Sequence, residues 1–169
     1  MYNCNIVLES DVQKKAELIY CGILMGLFSP SSANSYLEWR IIHNLELNQE
    51  EAELLLIEPT VEEIDLVFKK SYGDITNEIK RLLRYIILND LTKRYENFEF
   101  LENIEMVYSS FDYPTDMESF IYYMPNKKYN SCEMLTIAFL AFMNEEKTYL
   151  NSHNLLWIGW EKTNESIYK

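Results

Sequence analysis

The sequence predicts an all-α fold: one helical domain over residues 1–169, a bundle of about seven or eight helices. Three observations predict it. Capping residues stand ahead of most apolar runs. Within those runs apolar residues recur at i, i+3, i+4 and i+7, the spacing of one helix face. Glycine and proline number only four each, too few for a turn-rich β-sandwich.

In chain order, Ser10 with Gln13 three residues on reads as a capping box. Val12, Ala16, Ile19, Tyr20, Ile23, Leu24 and Leu27 then follow helical spacing. Ser29-Pro30 ends that helix and starts the next, whose buried stripe is expected at Ala33, Tyr36, Leu37 and Ile41. Asn48 is expected to cap a short acidic helix reaching Ile57. Pro59 ends it, and Thr60 with Glu63 opens another, with a stripe of Val61, Ile64, Phe68 and Tyr72 and a stop at Gly73. A long helix is expected from Thr76 to Tyr95, with Ile79, Leu82, Leu83, Ile86 and Ile87 inward and Lys80, Arg81 and Arg84 on a polar face. Phe98 to Ser110 follows, with Phe100, Leu101, Ile104, Val107, Tyr108 and Phe111 at core spacing.

After the Asp112-Tyr113-Pro114 break, Thr115 and Glu118 repeat the capping-box spacing for a short helix ending at Met124-Pro125. The likeness to Pro59-Thr60-x-x-Glu63 is capping chemistry, not an internal repeat. Asn126 to Asn130 reads as a polar loop. Ser131 to Leu150 is apolar on most sides, as a central helix would be. The run Leu155 to Trp160 suits a helix or a short strand near the terminus.

Charge is the most informative property. The chain carries a net charge of −12. It would be repelled by phosphate backbones and anionic membranes, so neither nucleic acid nor membrane is an expected partner. A basic protein would be attracted. The charges are also blocked. Glu46 to Asp65 holds only acids, Lys69 to Arg94 holds seven basic residues, and Tyr95 to Asn126 is again acidic. Glu99, Glu102 and Glu105 form a ridge opposite Ile104 and Val107. Such runs are usually solvated helix faces, and they are also how a docking surface for a basic protein is made.

Three cysteines, Cys4, Cys21 and Cys132, show no CxxC or Cys/His metal spacing. They read as reduced thiols, with Cys21 and Cys132 in the core. No signal peptide is visible, and the longest apolar segment, Leu18 to Phe28, is too short to span a bilayer; a cytoplasmic protein is expected. No metal or cofactor is expected, because neither an Asp-rich loop nor a Glu-x-x-His pair occurs. Arg40-Ile41-Ile42-His43 puts a basic residue and an imidazole on one helix, as in helical ribonucleases. Their Arg-to-His gap is wider, and the intervening Ile-Ile pair is unlike theirs. No nucleophile motif accompanies it, so no catalytic residue is assigned. Gly22-x-x-x-Gly26 is expected to permit a close helix contact in the core.

Phe111-Asp112-Tyr113-Pro114, followed by a short helix and Tyr123-Met124-Pro125, resembles an uncharacterised family of small bacterial proteins, a domain of unknown function. Gly26-Leu27-Phe28-Ser29-Pro30 is similar to that family too. The resemblance implies no enzymatic activity. Small acidic proteins of this type are also similar in character to the immunity proteins of polymorphic-toxin systems. The expected function is therefore a protein-binding one: a toxin-neutralising immunity protein that masks a basic surface of a toxin domain. The expected partner-binding residues are Glu99, Glu102, Glu105, Asp112, Tyr113, Asp116, Glu118 and Tyr122. The alternatives are a small helical enzyme or nuclease using Arg40 and His43, and a helical adaptor or scaffold.

Overall fold

The computed structural model describes residues 1–94, 99–121 and 131–156, with the backbone alone at 99–102. Among these, every regular element is helical: α1 (Asn5–Leu8), α2 (Lys15–Leu24), α3 (Ser32–Ile42), α4 (Gln49–Leu54), α5 (Val61–Tyr72), α6 (Asn77–Arg94), α7 (Glu99–Ser110), the 3₁₀ helix η1 (Thr115–Phe120) and α8 (Cys132–Ser152). Residues 1–83 and 84–169 form two compact units. The expected C-terminal run at Trp157–Trp160, the loop at Asn126–Asn130 and the Tyr123-Met124-Pro125 motif lie outside the described residues.

In the first unit α2 packs against α1, α3 and α5, and α4 packs against α3 and α5. The core is Leu18, Ile19, Tyr20 and Ile23 of α2 with Leu37, Leu54, Ile64 and Phe68 from the surrounding helices, all buried. Tyr20, Tyr36 and Tyr72 meet Phe68 or one another edge-on at 5.3–6.3 Å, the arrangement that aromatic quadrupoles favour. The rest of α6 up to Leu83 adds Ile79, Leu82 and Leu83.

The helix starts follow local chemistry. Asn48 Oδ1 accepts the Glu51 N–H at 2.9 Å while Glu51 Oε2 accepts the Asn48 N–H at 2.9 Å. Thr60 and Glu63 make the same reciprocal pair at 3.3 and 2.8 Å. Ser131 caps α8 through the Met134 N–H at 3.3 Å. Each satisfies amides that have no partner inside the helix.

Four helix ends share one geometry. Gly26, Asn44, Asp112 and Asn154 all have φ between 55° and 68°. In each case the next residue's N–H reaches back five residues: Leu27 to Gly22 O at 2.8 Å, Leu45 to Arg40 O at 2.9 Å, Tyr113 to Tyr108 O at 3.0 Å and Leu155 to Leu150 O at 2.9 Å. This is the Schellman arrangement, which satisfies the last carbonyls of a helix.

Several expectations are corrected. Ser10 does not cap a helix; its hydroxyl donates to Val7 O at 2.7 Å and closes α1. The next helix begins at Lys15, whose ammonium donates to Val7 O at 3.0 Å and to Ser10 O. Thr115 makes no side-chain cap, and the element it opens is 3₁₀, not α. Ile41 is half exposed, and Arg40 takes its place on the α3 stripe, because Arg40 stands seven residues after Ala33 and four after Tyr36. Arg84 is buried, not on a polar face. Cys132 is exposed, whereas Cys4 and Cys21 are buried. Helix α8 is not enclosed: Leu135, Phe139, Phe142 and Leu150 are buried, while Met134, Ile137 and Leu140 are 41%, 65% and 55% exposed. The GxxxG pair splits into two roles: Gly22 makes room for the Phe28 ring, and Gly26 supplies a left-handed helix end.

Burial of phenols and a thiol gives a pH dependence. Burial pushes the Cys21 thiol up to about 12 and raises Tyr20, Tyr36, Tyr72 and Tyr85 above their ordinary value of 10.0. The folded state keeps protons that the unfolded chain releases, so the stability from these groups is full below about pH 9 and falls as pH rises further. Each group inside its window lowers stability by about 1.4 kcal/mol per pH unit. Melting temperatures should hold up to about pH 9 and drop steadily from there to pH 11, and a flat profile across that range would contradict this burial.

Candidate functional site

The residues expected to bind a partner fall in the second unit, where η1 packs on α8. Helix α7 turns Ile104, Val107 and Tyr108 inward and leaves Glu105 half-buried on the other side. The side chains of Glu99 and Glu102, and all of Tyr122, lie outside the described residues.

The chain leaves α7 through Asp112 and Tyr113, which have φ of 61° and 56°. For non-glycine residues this region costs about 1–2 kcal/mol each. Asp112 is a tolerated Schellman residue, since its short polar side chain suits that conformation. Tyr113 has no such excuse. Its ring packs edge-on against Tyr108 at 5.3 Å, the apolar contact that accompanies a Schellman end. It is nevertheless 57% exposed. Asp112 beside it is exposed as well, so a large ring and a carboxylate stand out together from one turn.

Pro114 leads into η1, where Met117 and Phe120 are buried. Phe120 meets Phe139 and Phe142 of α8 at 5.4 and 5.0 Å. Asp116 is not an independent surface charge. Arg84 Nη1 and Nη2 donate to its two carboxylate oxygens at 2.9 and 2.6 Å. Nη2 also donates to Glu146 Oε2 at 3.3 Å, and the guanidinium lies 5.2 Å from the Phe142 ring centre. The Arg84 and Glu146 side chains are only 6% and 5% exposed, and Asp116 is 45% exposed. One guanidinium thus joins two carboxylates beneath the turn. Glu118 is half-buried on the same short helix.

Sequence reasoning missed Arg84 and Glu146, although a signal existed. Glu146 continues the line Leu135, Phe139, Phe142 and Leu150, and Arg84 stands four and seven residues before Leu88 and Leu91. Opposite charges on two apolar stripes are what a buried ion pair requires.

The rival pair, Arg40 and His43, goes to separate partners. Arg40 Nη1 donates to Glu51 Oε1 at 2.7 Å and to the Tyr72 hydroxyl at 2.6 Å, Tyr72 donates to Glu51, and Arg40 Nη2 donates to Glu46 O. His43 stacks on Trp39 at 4.1 Å, with Nδ1 2.7 Å from Trp39 O. Arg40 is committed to joining α3, α4 and α5, and His43 sits at the α3 end. Among the described residues there is no group of histidine, cysteine or acidic side chains able to hold a metal ion, and no helix long and apolar enough to cross a membrane.

A family model described as an uncharacterized protein conserved in bacteria (DUF2247) matches residues 5–154. The chain belongs to this family. The match runs through all the helices described, from α1 to the end of α8. No curated protein and no solved structure matches the chain. The DUF2247 description assigns no activity, so function rests on the site.

Proposed function

We propose that this DUF2247 protein is a protein-binding protein for a basic partner, and specifically a toxin-neutralising immunity protein that covers a basic surface of a bacterial toxin domain. The turn after α7 carries this reading. Two adjacent non-glycine residues hold left-handed backbone there, and the result is an exposed tyrosine beside an exposed carboxylate. Strain of this kind persists where the surroundings over-determine it, and it clusters at binding sites. Tyrosine is a frequent interface anchor, combining apolar area with a polar tip at low entropic cost. The surrounding carboxylates, within a chain of charge −12, would steer a basic protein toward it.

The test starts with capture of partners from the native bacterium, followed by association kinetics with the purified partner. Changing Glu105, Asp112 and Glu118 to Lys should slow association about tenfold or more at low salt, with dissociation less affected. The effect should shrink at 1 M salt, where the Debye length is about 3 Å. Tyr113→Ala should act on dissociation instead, at a cost of about 2 kcal/mol or more if the ring fills a partner pocket. Asp112→Gly is the folding control, because glycine takes left-handed backbone without penalty and so removes the carboxylate without unfolding the turn. A partner that associates and dissociates at native rates with all of these variants binds elsewhere, and the reading fails.

A further inference from the structure

We propose that Arg84 is a positioning residue for this surface: its fork on Asp116, backed by Glu146, fixes the turn that presents Asp112 and Tyr113. This rests on the reading that the surface takes a basic partner. Locally the turn is held at its start, by the Tyr113 N–H to Tyr108 O bond and the Tyr113–Tyr108 ring contact. Two left-handed residues precede Pro114, which has no N–H to offer. The helix that follows is a six-residue 3₁₀ element without a side-chain cap, and such elements have poor hydrogen-bond geometry. Tertiary contacts hold the chain from Pro114 onward.

They do so at two places. Phe120 anchors the far end among Phe139 and Phe142. Asp116, three residues after Tyr113, anchors the near end through two hydrogen bonds to Arg84. A bidentate guanidinium–carboxylate pair fixes orientation as well as distance, which a lysine cannot do. Glu146 holds the guanidinium from α8. The Arg84 Nε is buried with no partner among the described residues, so the fork is directed wholly at the two carboxylates.

Arg84→Lys keeps the net charge and removes the fork, which separates geometry from charge. Hydrogen exchange should speed up about tenfold at the amides of 112–121, while those of Phe139 and Phe142 change less than about twofold. Association with an oligolysine peptide should slow several-fold at low salt. Asp116→Asn, which leaves Arg84 paired with Glu146, should reproduce the local exchange pattern if the lysine variant folds poorly. Unchanged exchange in both variants overturns the proposal. So does equal loss of protection along α8, which would make Arg84 a general support of the unit. Local loosening with native oligolysine association overturns it too. Asp112→Lys with Glu118→Lys, compared with Glu53→Lys and Glu62→Lys in the first unit, tests the binding reading separately. Equal effects of the two pairs would remove that reading, and the positioning role with it.

Discussion

Replacing Glu51 with alanine is expected to destabilise the protein by about 3–5 kcal/mol, as breaking a buried ion pair from one side does. Glu51 has three simultaneous roles. Its Oε2 closes the capping box at the start of α4. Its Oε1 accepts from Arg40 and from Tyr72. Its side chain is 3% exposed and that of Arg40 is 16% exposed, so removing the carboxylate leaves a guanidinium with little access to water. The cap alone would account for about 1 kcal/mol; the remainder comes from the stranded charge. Denaturant unfolding of the wild-type and Glu51→Ala proteins measures the loss. The double variant Arg40→Met/Glu51→Leu should regain much of it, since apolar residues often replace a buried pair without penalty. A loss below about 1 kcal/mol for Glu51→Ala would mean that the Arg40 network is dispensable and that only the cap matters.

Gly22→Ala is expected to destabilise the first unit by about 1–3 kcal/mol, the usual range for overpacking a core. A Cβ at Gly22 would overlap the Phe28 ring, which is buried and held by the Phe28 N–H to Gly22 O bond at 3.0 Å. Alanine is the better helix former by about 1 kcal/mol, so propensity alone predicts the opposite sign. The sign of the measured change therefore decides between packing and propensity. Phe28→Leu should suppress the defect, making the double variant more stable than the sum of the single losses predicts. Gly26→Ala should also destabilise, but through its φ of 68° and not through contact, since nothing lies near its Cβ direction. No change in Phe28 is expected to rescue it.

The two ion-pair centres show where sequence reasoning stopped. Charge runs read as solvated helix faces, and among the described residues most charged side chains reach solvent. Arg40, Arg84, Glu51 and Glu146 are largely withdrawn from it. Each occupies a stripe position that an apolar residue would otherwise fill. The turn at Asp112-Tyr113 was legible as a break and as an acidic surface. That its backbone is left-handed at both residues was not, because asparagine and glycine are the usual residues for that conformation and neither is present.

What the sequence determined by itself is local. The helical class, the starts of α4, α5 and α8 at Asn48, Thr60 and Ser131, and the end of α5 at Gly73 follow from capping groups within three or four residues of the amides they satisfy. Hydrogen bonds of such short sequence separation can be read along the chain. The tertiary structure decided the rest: which stripe Arg84 belongs to, why Thr115 opens a 3₁₀ turn with Asp116 held by Arg84, and which face of α8 stays exposed. The partners of Arg84 stand 32 and 62 residues away from it in the chain. The free energy of burying a charge is set by whether its counter-charge arrives at hydrogen-bond distance, and only the folded chain brings the two together.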